Sequence, residues 1–244
     1  MNILVCVKQV VLPGMSAQSG SGINRYDEYA LEEALQVKER IPGTAVHAVS
    51  AGPQRVEAVL RRAMEMGADT GIHLHVDSGE ELTPYQAASL IASHVRTNRY
   101  DMIFAGVMAE DDLQMQTGPM IAALLDYPYA SAVIAQEIRQ DNTVSVEREC
   151  DAHRRQCVEL DMPCVLTVQS GINRPRYPSL SNVLRAKHQD ILRPEVPGRE
   201  VPRARETTIR TFPPVIQPRG MFLEGTQREK AVRLLGILHE KNFL

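Results

Sequence analysis

YDMIFAGVMAEDDLQMQTGPMIAALLDYP, residues 100–128, runs from a short apolar stretch through a polar loop into a second apolar stretch with helical spacing. YDMIFAG has the length and side-chain types of a buried strand, and Gly106 ends it. Thr117, Gly118 and Pro119 then open a helix, because a proline at the first turn forfeits only an amide hydrogen that has no intrahelical partner. Strand, loop, helix is the repeating unit of a parallel α/β sheet.

Outward from this unit the same rhythm recurs. NILVCVK at 2–8 is a strand, and a Gly/Ser-rich loop, PGMSAQSGSGI, leads to Asn24 with Asp27 three residues on, a capping-box spacing. Ala30, Leu31, Ala34, Leu35 and Ile41 continue that helix. TAVHAVSA is the second strand, and Gly52 and Pro53 open a helix with Val56, Val59, Leu60, Ala63 and Met64 inward and Gly67 at its end. GIHLHV is a third strand, followed by a helix from Thr83 and Pro84 with Ala87, Leu90, Ile91 and Val95 on one side. Beyond Tyr127 the runs ASAVIAQEI, NTVSVEREC, QCVELDM and CVLTVQ are close enough to pair as antiparallel hairpins, with Asp141 and Asn142 at one turn. From Arg193 to Gly220 six prolines and six arginines exclude helix and central strand, and read as an extended arm. Thr226 and Glu229 form a second capping box ahead of Ala231, Leu234, Leu235 and Leu238, a helix that needs a surface to bury against. The fold class is therefore α/β: a Rossmann-like parallel sheet with helices on both faces, an added antiparallel hairpin region and an extended C-terminal arm.

A formal net charge of -3 gives no basic footprint for nucleic acid, and no apolar run is long enough to span a membrane. MNILVCVKQV has neither signal-peptide nor transit-peptide character, so the expected location is cytoplasmic. Cys6, Cys150, Cys157 and Cys164 then read as reduced thiols. Cys150, His153, Cys157 and Cys164 lack a C-x-x-C knuckle, so no metal site is expected, and His73, His75 and His94 read as structural. Neither a P-loop nor a G-x-G-x-x-G fingerprint occurs, and no spacing suggests a catalytic triad.

What the helix at Thr117 offers is its first-turn amides, at the end of a parallel strand where open sheets bind ligands. Phosphate suits them, although Thr-Gly-Pro is equally a plain helix start. Asp111 and Asp112 do not favour an anion and suit loop amides or a ribose hydroxyl instead. From the residues alone the reading ends at an adenine-nucleotide type of pocket in a multi-subunit protein.

Several segments together resemble the beta subunit of electron transfer flavoprotein, from residue 1 to about 190. VCVKQV is similar to that family's first strand, NRYDEYALEEAL to its N-P-F-x-x-x-A-x-E-E-A helix start, and VSAGP with RRAMEMGAD to its second unit. QTG at 116–118 resembles its nucleotide loop, and VEREC followed by PCVLTVQSGINRPRYPSLSNVLRAK at 163–187 resembles its signature in order and spacing. The resemblance implies a heterodimer with an α subunit that carries electrons on FAD from acyl-CoA dehydrogenase-type flavoenzymes to a quinone reductase or another acceptor. It implies no catalytic side chains in this chain, and a structural AMP held around Cys6, Asn24, Arg25, Tyr26, Asp27, Ala51, Gly106, Asp111, Asp112, Gln116, Thr117 and Gly118. The FAD is expected mostly on the α chain, with this chain covering one side of its ring system. A partner-recognition loop near 173–187 would dock Leu180, flanked by Tyr177 and Pro178, into the dehydrogenase. Residues 1–190 would form the nucleotide-binding domain, and 191–244 an arm and helix packing on the α subunit. Arg25, Met115, Val107 and Met108 depart from the family pattern in the pocket, and Ala152 to Arg155 replace a Gly-rich hairpin tip.

Two alternatives stand beside this reading. In a bifurcating relative, the pocket here would hold a second FAD that oxidises NADH. In a different class, the chain would be a stand-alone adenine-nucleotide sensor, which needs neither the arm nor the PRYPSL loop.

Overall fold

The computed structural model describes residues 1–11, 21–77, 81–152, 154–195, 201–210, 212 and 220–243. Most of the Gly/Ser-rich loop, His153 and the arm's Pro197, Pro213, Pro214 and Pro218 lie outside the described residues. By their contacts the residues fall into two units, Met1–Glu206 and Thr207–Leu244.

In the first unit β1 (Asn2–Cys6) leads through the small antiparallel pair β2 (Gln9–Val11) and β3 (Ser21–Ile23) to α1 (Arg25–Arg40). Then come β4 (Ala45–Gly52), a single 3-10 turn at Gln54–Val56, α2 (Glu57–Met66), β5 (Thr70–His75), α3 (Pro84–Thr97), β6 (Met102–Gly106) and α4 (Thr117–Leu125). β7 (Tyr129–Ile138), β8 (Thr143–Glu149), β9 (Arg155–Asp161), β10 (Cys164–Val168) and α5 (Leu180–His188) complete the unit. Eight strands form one sheet in the order β5-β4-β1-β6-β10-β7-β8-β9.

Alternation along β1 and the residue that follows it assigns the layers. Ile3, Val5 and Val7 pack with Ala30, Leu31 and Leu35 of α1 and Val59, Leu60 and Met64 of α2, while Leu4 and Cys6 pack with Leu90 and Ile91 of α3 and Ile121 of α4. Each such fully buried Leu, Ile or Val stabilises by about 1.5–3 kcal/mol relative to exposure. The local signals act as expected at α3, which starts at Thr83 and Pro84 and adds a reciprocal capping box with Gln86, and at Gly67, whose φ of 137° ends α2.

Two local expectations are overturned. CVLTVQ does not join the hairpins: β10 lies parallel to both β6 and β7 inside the sheet, and only β7, β8 and β9 form the antiparallel extension. An apolar central strand reads the same in either direction, and here the chain returns from the edge to fill the gap beside β6. At α1, Asn24 is the N-cap residue but its side chain makes no capping bond, because tertiary contacts claim it.

The second unit carries α6 (Gln227–Glu240), started by the capping box of Thr226 and Glu229. None of its residues is buried within the chain, and Leu234 and Leu235 remain about half exposed. No helix among the described residues is long and apolar enough to cross a membrane.

Candidate functional site

β1, β4 and β5 run outward on one side of the sheet and β6 lies on the other side of β1, so the connections diverge between β1 and β6. Ligands of open parallel sheets sit at that divergence, beyond the carboxyl ends of the strands. A cleft of about 1020 Å³, counted to its open mouth, lies there. Its floor comes from Cys6, Ala51, Ala105 and Gly106 at the strand ends, and Val56, Leu82, Pro84 and Ile91 give it an apolar side.

The opposite side is a cross-brace built on Asn24 and Asp27. Asn24 Nδ2 donates to Met108 O at 2.8 Å and its Oδ1 accepts from Glu110 N at 3.2 Å. Asp27 accepts from Lys8 N at 2.7 Å and from Gly106 N at 3.0 Å. The α1 start thereby ties the end of β1 to the loop after β6 across the cleft. A Cβ on Gly106 would sit 2.5 Å from Asp27 Oδ1, so only glycine lets that carboxyl close in. Burial pushes the Asp27 carboxyl up to about 7, against the amides of Lys8 and Gly106 and the Asn24 side chain that hold it down. Burial and the neighbouring Asp27 charge push the Cys6 thiol up as well, so Cys6 is a packing group and not a nucleophile.

Helix α4 points its start at the cleft. Gln116, not Thr117, is its N-cap residue and gives no side-chain cap; Thr117 is the first helical residue. The amides of Thr117 and Gly118 are thus available, and Pro119 has none to spend. Gly118 has a packing reason of its own, since a Cβ there would collide with Thr167 Cγ2. Thr167 also accepts from Ala132 N through its hydroxyl, at the bulge between β7 and β10.

Charge in the cleft is balanced towards acid. Lys8 Nζ lies 2.7 Å from Asp111 and 2.8 Å from Asp112. Burial works to lower the Lys8 ammonium, but the two carboxylates prevail and hold it above its ordinary value. Arg55 at the rim has Glu81 at 3.7 Å. An anion entering this cleft finds its best partners in the backbone amides of α4, worth typically about 0.3–1 kcal/mol in helix-dipole attraction before hydrogen bonds.

Of the residues singled out in the sequence, Cys6, Asn24, Asp27, Ala51, Gly106, Asp112, Gln116, Thr117 and Gly118 line the cleft. Arg25, Tyr26 and Asp111 do not: Arg25 N bonds to Glu110, Tyr26 packs under Gly106, and Asp111 faces Lys8. Lys8, Ser50 and Arg55 line it without having been singled out, and Lys8 was legible as the polar residue just past a strand's carboxyl end. No histidine lines the cleft among the described residues. His73 bonds to Glu57 and Gly52 O, each at 2.9 Å, and His94 and His47 share the Tyr100 hydroxyl, each at 3.2 Å.

A second feature lies on the α5 side. Leu180 is 75% exposed, Tyr177 is 92% exposed, and Pro178 is half-buried between them. Two large apolar side chains three residues apart therefore stand in solvent on this side.

A family model for the electron transfer flavoprotein domain matches residues 15–204. The chain is similar to "Electron transfer flavoprotein subunit beta" of Bacillus subtilis (strain 168), 32% identical over 225 residues that cover 90% of this chain and 86% of the relative. The protein of the same name from Methylophilus methylotrophus is 30% identical over 260 residues, covering 98% of each. That from Mus musculus is 36% identical over 202 residues, covering 77% of this chain and 78% of the relative.

Proposed function

The chain belongs to the electron transfer flavoprotein beta-subunit family, and from that premise we propose that it is the half of a cytoplasmic heterodimer that holds a structural AMP. A sister α subunit carries most of an FAD, and this chain covers one side of it. The observation that supports this reading is the cleft itself: available α4 amides, a brace of polar side chains and an apolar side meet at the switch point of the sheet. Thr117 and Gly118 N–H hold the phosphate of AMP, Asp112 and Asn24 lie on the polar side suited to ribose hydroxyls, and Val56, Leu82 and Ile91 offer apolar side chains to a base. Bound FAD supplies reversible uptake and release of electrons. Asp27, the late-titrating carboxyl of the cleft, spends its oxygens on the amides of Lys8 and Gly106, a bracing role that suits a subunit that positions and does not transform.

Leu180, with Tyr177 and Pro178, docks the flavoenzyme that delivers electrons, an acyl-CoA dehydrogenase type, and a quinone reductase or comparable acceptor takes them on. A small apolar contact favours short encounters, as a carrier needs. Reduction of the co-purified heterodimer without oxygen tests the reading. The flavin is expected to bleach with an acyl-CoA dehydrogenase and its acyl-CoA, and to stay oxidised with NADH alone; bleaching by NADH alone contradicts an AMP in this cleft and favours a second FAD there.

A further inference from the structure

Residues 173–179 have no helical or strand pairing, yet they hold Tyr177 and Leu180 at fixed points. Their anchorage is on α1. Arg176 donates from Nε at 2.8 Å and from its backbone N at 3.2 Å to Glu32 Oε2, and from Nη2 at 3.0 Å to Glu32 Oε1; Nη1 adds Glu39. A little earlier in the chain, Asn173 Nδ2 donates to Tyr29 O at 3.0 Å and to Glu33 Oε2 at 3.1 Å. Glu32 and Glu33 are both 4% exposed, unusual for adjacent carboxylates on a helix. Buried acids need such partners: the loop supplies the cation on Glu32 and an amide on Glu33, beside Gln36 on Glu32 and Gln136 and Arg40 on Glu33.

The far end is fixed just as firmly. Arg185 Nη2 donates to Met64 O at 3.0 Å and Ala68 O at 3.1 Å, Arg61 donates to Ala186 O and Gln189 O, and Ala186 is fully buried against α2. Between these two feet the chain forms an arch whose crown carries Tyr177, Leu180 and Leu184, the last 54% exposed.

We infer that Arg176 is a positioning residue for electron delivery: clamped on the buried Glu32, it holds the arch in the shape that presents Leu180 to the partner. The inference rests on the docking reading of Leu180. A docking segment already ordered before contact does not lose that freedom on binding. Fixing even one or two backbone residues costs conformational entropy, so releasing the arch weakens docking by about tenfold or more.

The test uses the full heterodimer and an acyl-CoA dehydrogenase reduced by its acyl-CoA, with the variants Arg176→Lys, Arg176→Met/Glu32→Gln and Leu180→Ala. The double variant avoids leaving the Glu32 carboxylate buried without its cation, with only the Gln36 amide beside it, since removing one partner of a buried pair is strongly destabilising. It is expected to keep the flavin spectrum and the rate at saturating dehydrogenase while raising KM about tenfold, with Arg176→Lys in between. Amide hydrogen exchange at 174–180 is expected to speed up by a similar factor in the double variant. An unchanged KM there, with KM raised in Leu180→Ala, overturns the role of Arg176. An unchanged KM in Leu180→Ala sinks the docking reading instead, and amide exchange then decides whether Arg176 holds the arch: faster exchange upholds the clamp and unchanged exchange overturns it.

Discussion

Replacing Asp27 by asparagine separates the cost of burying a charge from the benefit of bracing the cleft. Moving this carboxyl from 3.8 to about 7 makes its ionisation about 4 kcal/mol costlier in the folded chain than in the unfolded one. Because the folded value lies above the unfolded one, the contribution to stability is complete below about pH 4 and is lost as pH rises through 7. Between pH 5 and pH 8 the wild-type chain forfeits about 3 kcal/mol on this account. The asparagine side chain cannot ionise, but its amide group leaves Lys8 N or Gly106 N without an acceptor, at about 1–3 kcal/mol independent of pH. Relative to the wild type, the Asp27→Asn variant should therefore gain about 3 kcal/mol between pH 5 and pH 8, and at pH 8 it should match or exceed it. The chain has no tryptophan, so urea unfolding is followed by far-ultraviolet circular dichroism at both pH values. A difference between the two proteins that stays constant from pH 5 to pH 8 refutes the buried, late-titrating Asp27.

Gly118→Ala drives a methyl into Thr167 Cγ2 and should lower stability by about 1–3 kcal/mol; adding Thr167→Ser should recover most of it in thermal unfolding. Lys8→Met removes the tie to Asp111 and Asp112, a partly exposed pair of about 1 kcal/mol, and should speed nucleotide loss on dialysis about fivefold. Burial lowers His47 and His94, so their contribution is complete above pH 6.5 and is lost as pH falls below it; His94→Gln should show a flatter acid limb than wild type in unfolding between pH 7 and pH 5. Tyr100→Phe leaves both imidazoles short of a partner and should cost about 1–3 kcal/mol at pH 8 by urea unfolding.

Helices were legible in the sequence wherever their signals are local, as at Thr83 with Pro84, Gly67, and Thr226 with Glu229. The direction of β10 was not, because Cys164–Val168 is buried throughout and its neighbours are distant in the chain. At Asn24 and Asp27 the right residues carried the wrong reason: capping-box spacing is local, whereas their bonds to Met108, Glu110, Lys8 and Gly106 join segments that only the fold brings together. Gly118 shows the same limit, since its near contact with Thr167 follows from strand order and not from the Thr-Gly-Pro pattern. The place of the cleft was legible in part: α/β alternation puts the carboxyl ends of parallel strands at one edge of the sheet, whereas the strand order that makes the switch point between β1 and β6 is a property of the fold. Its bracing through Gly106 and the clamp on Arg176 join groups far apart in the chain, 79 and 144 residues respectively, a distance no local pattern spans.

The most direct measurement is the nucleotide content of the gently purified heterodimer, by absorption and by mass spectrometry of the released small molecules. One FAD and one AMP per heterodimer are expected, with AMP lost in a Gly118→Ala variant that keeps its yellow colour. Two FAD and no AMP, or a colourless protein without an adenylate, would contradict an adenylate-holding subunit beside a shared flavin.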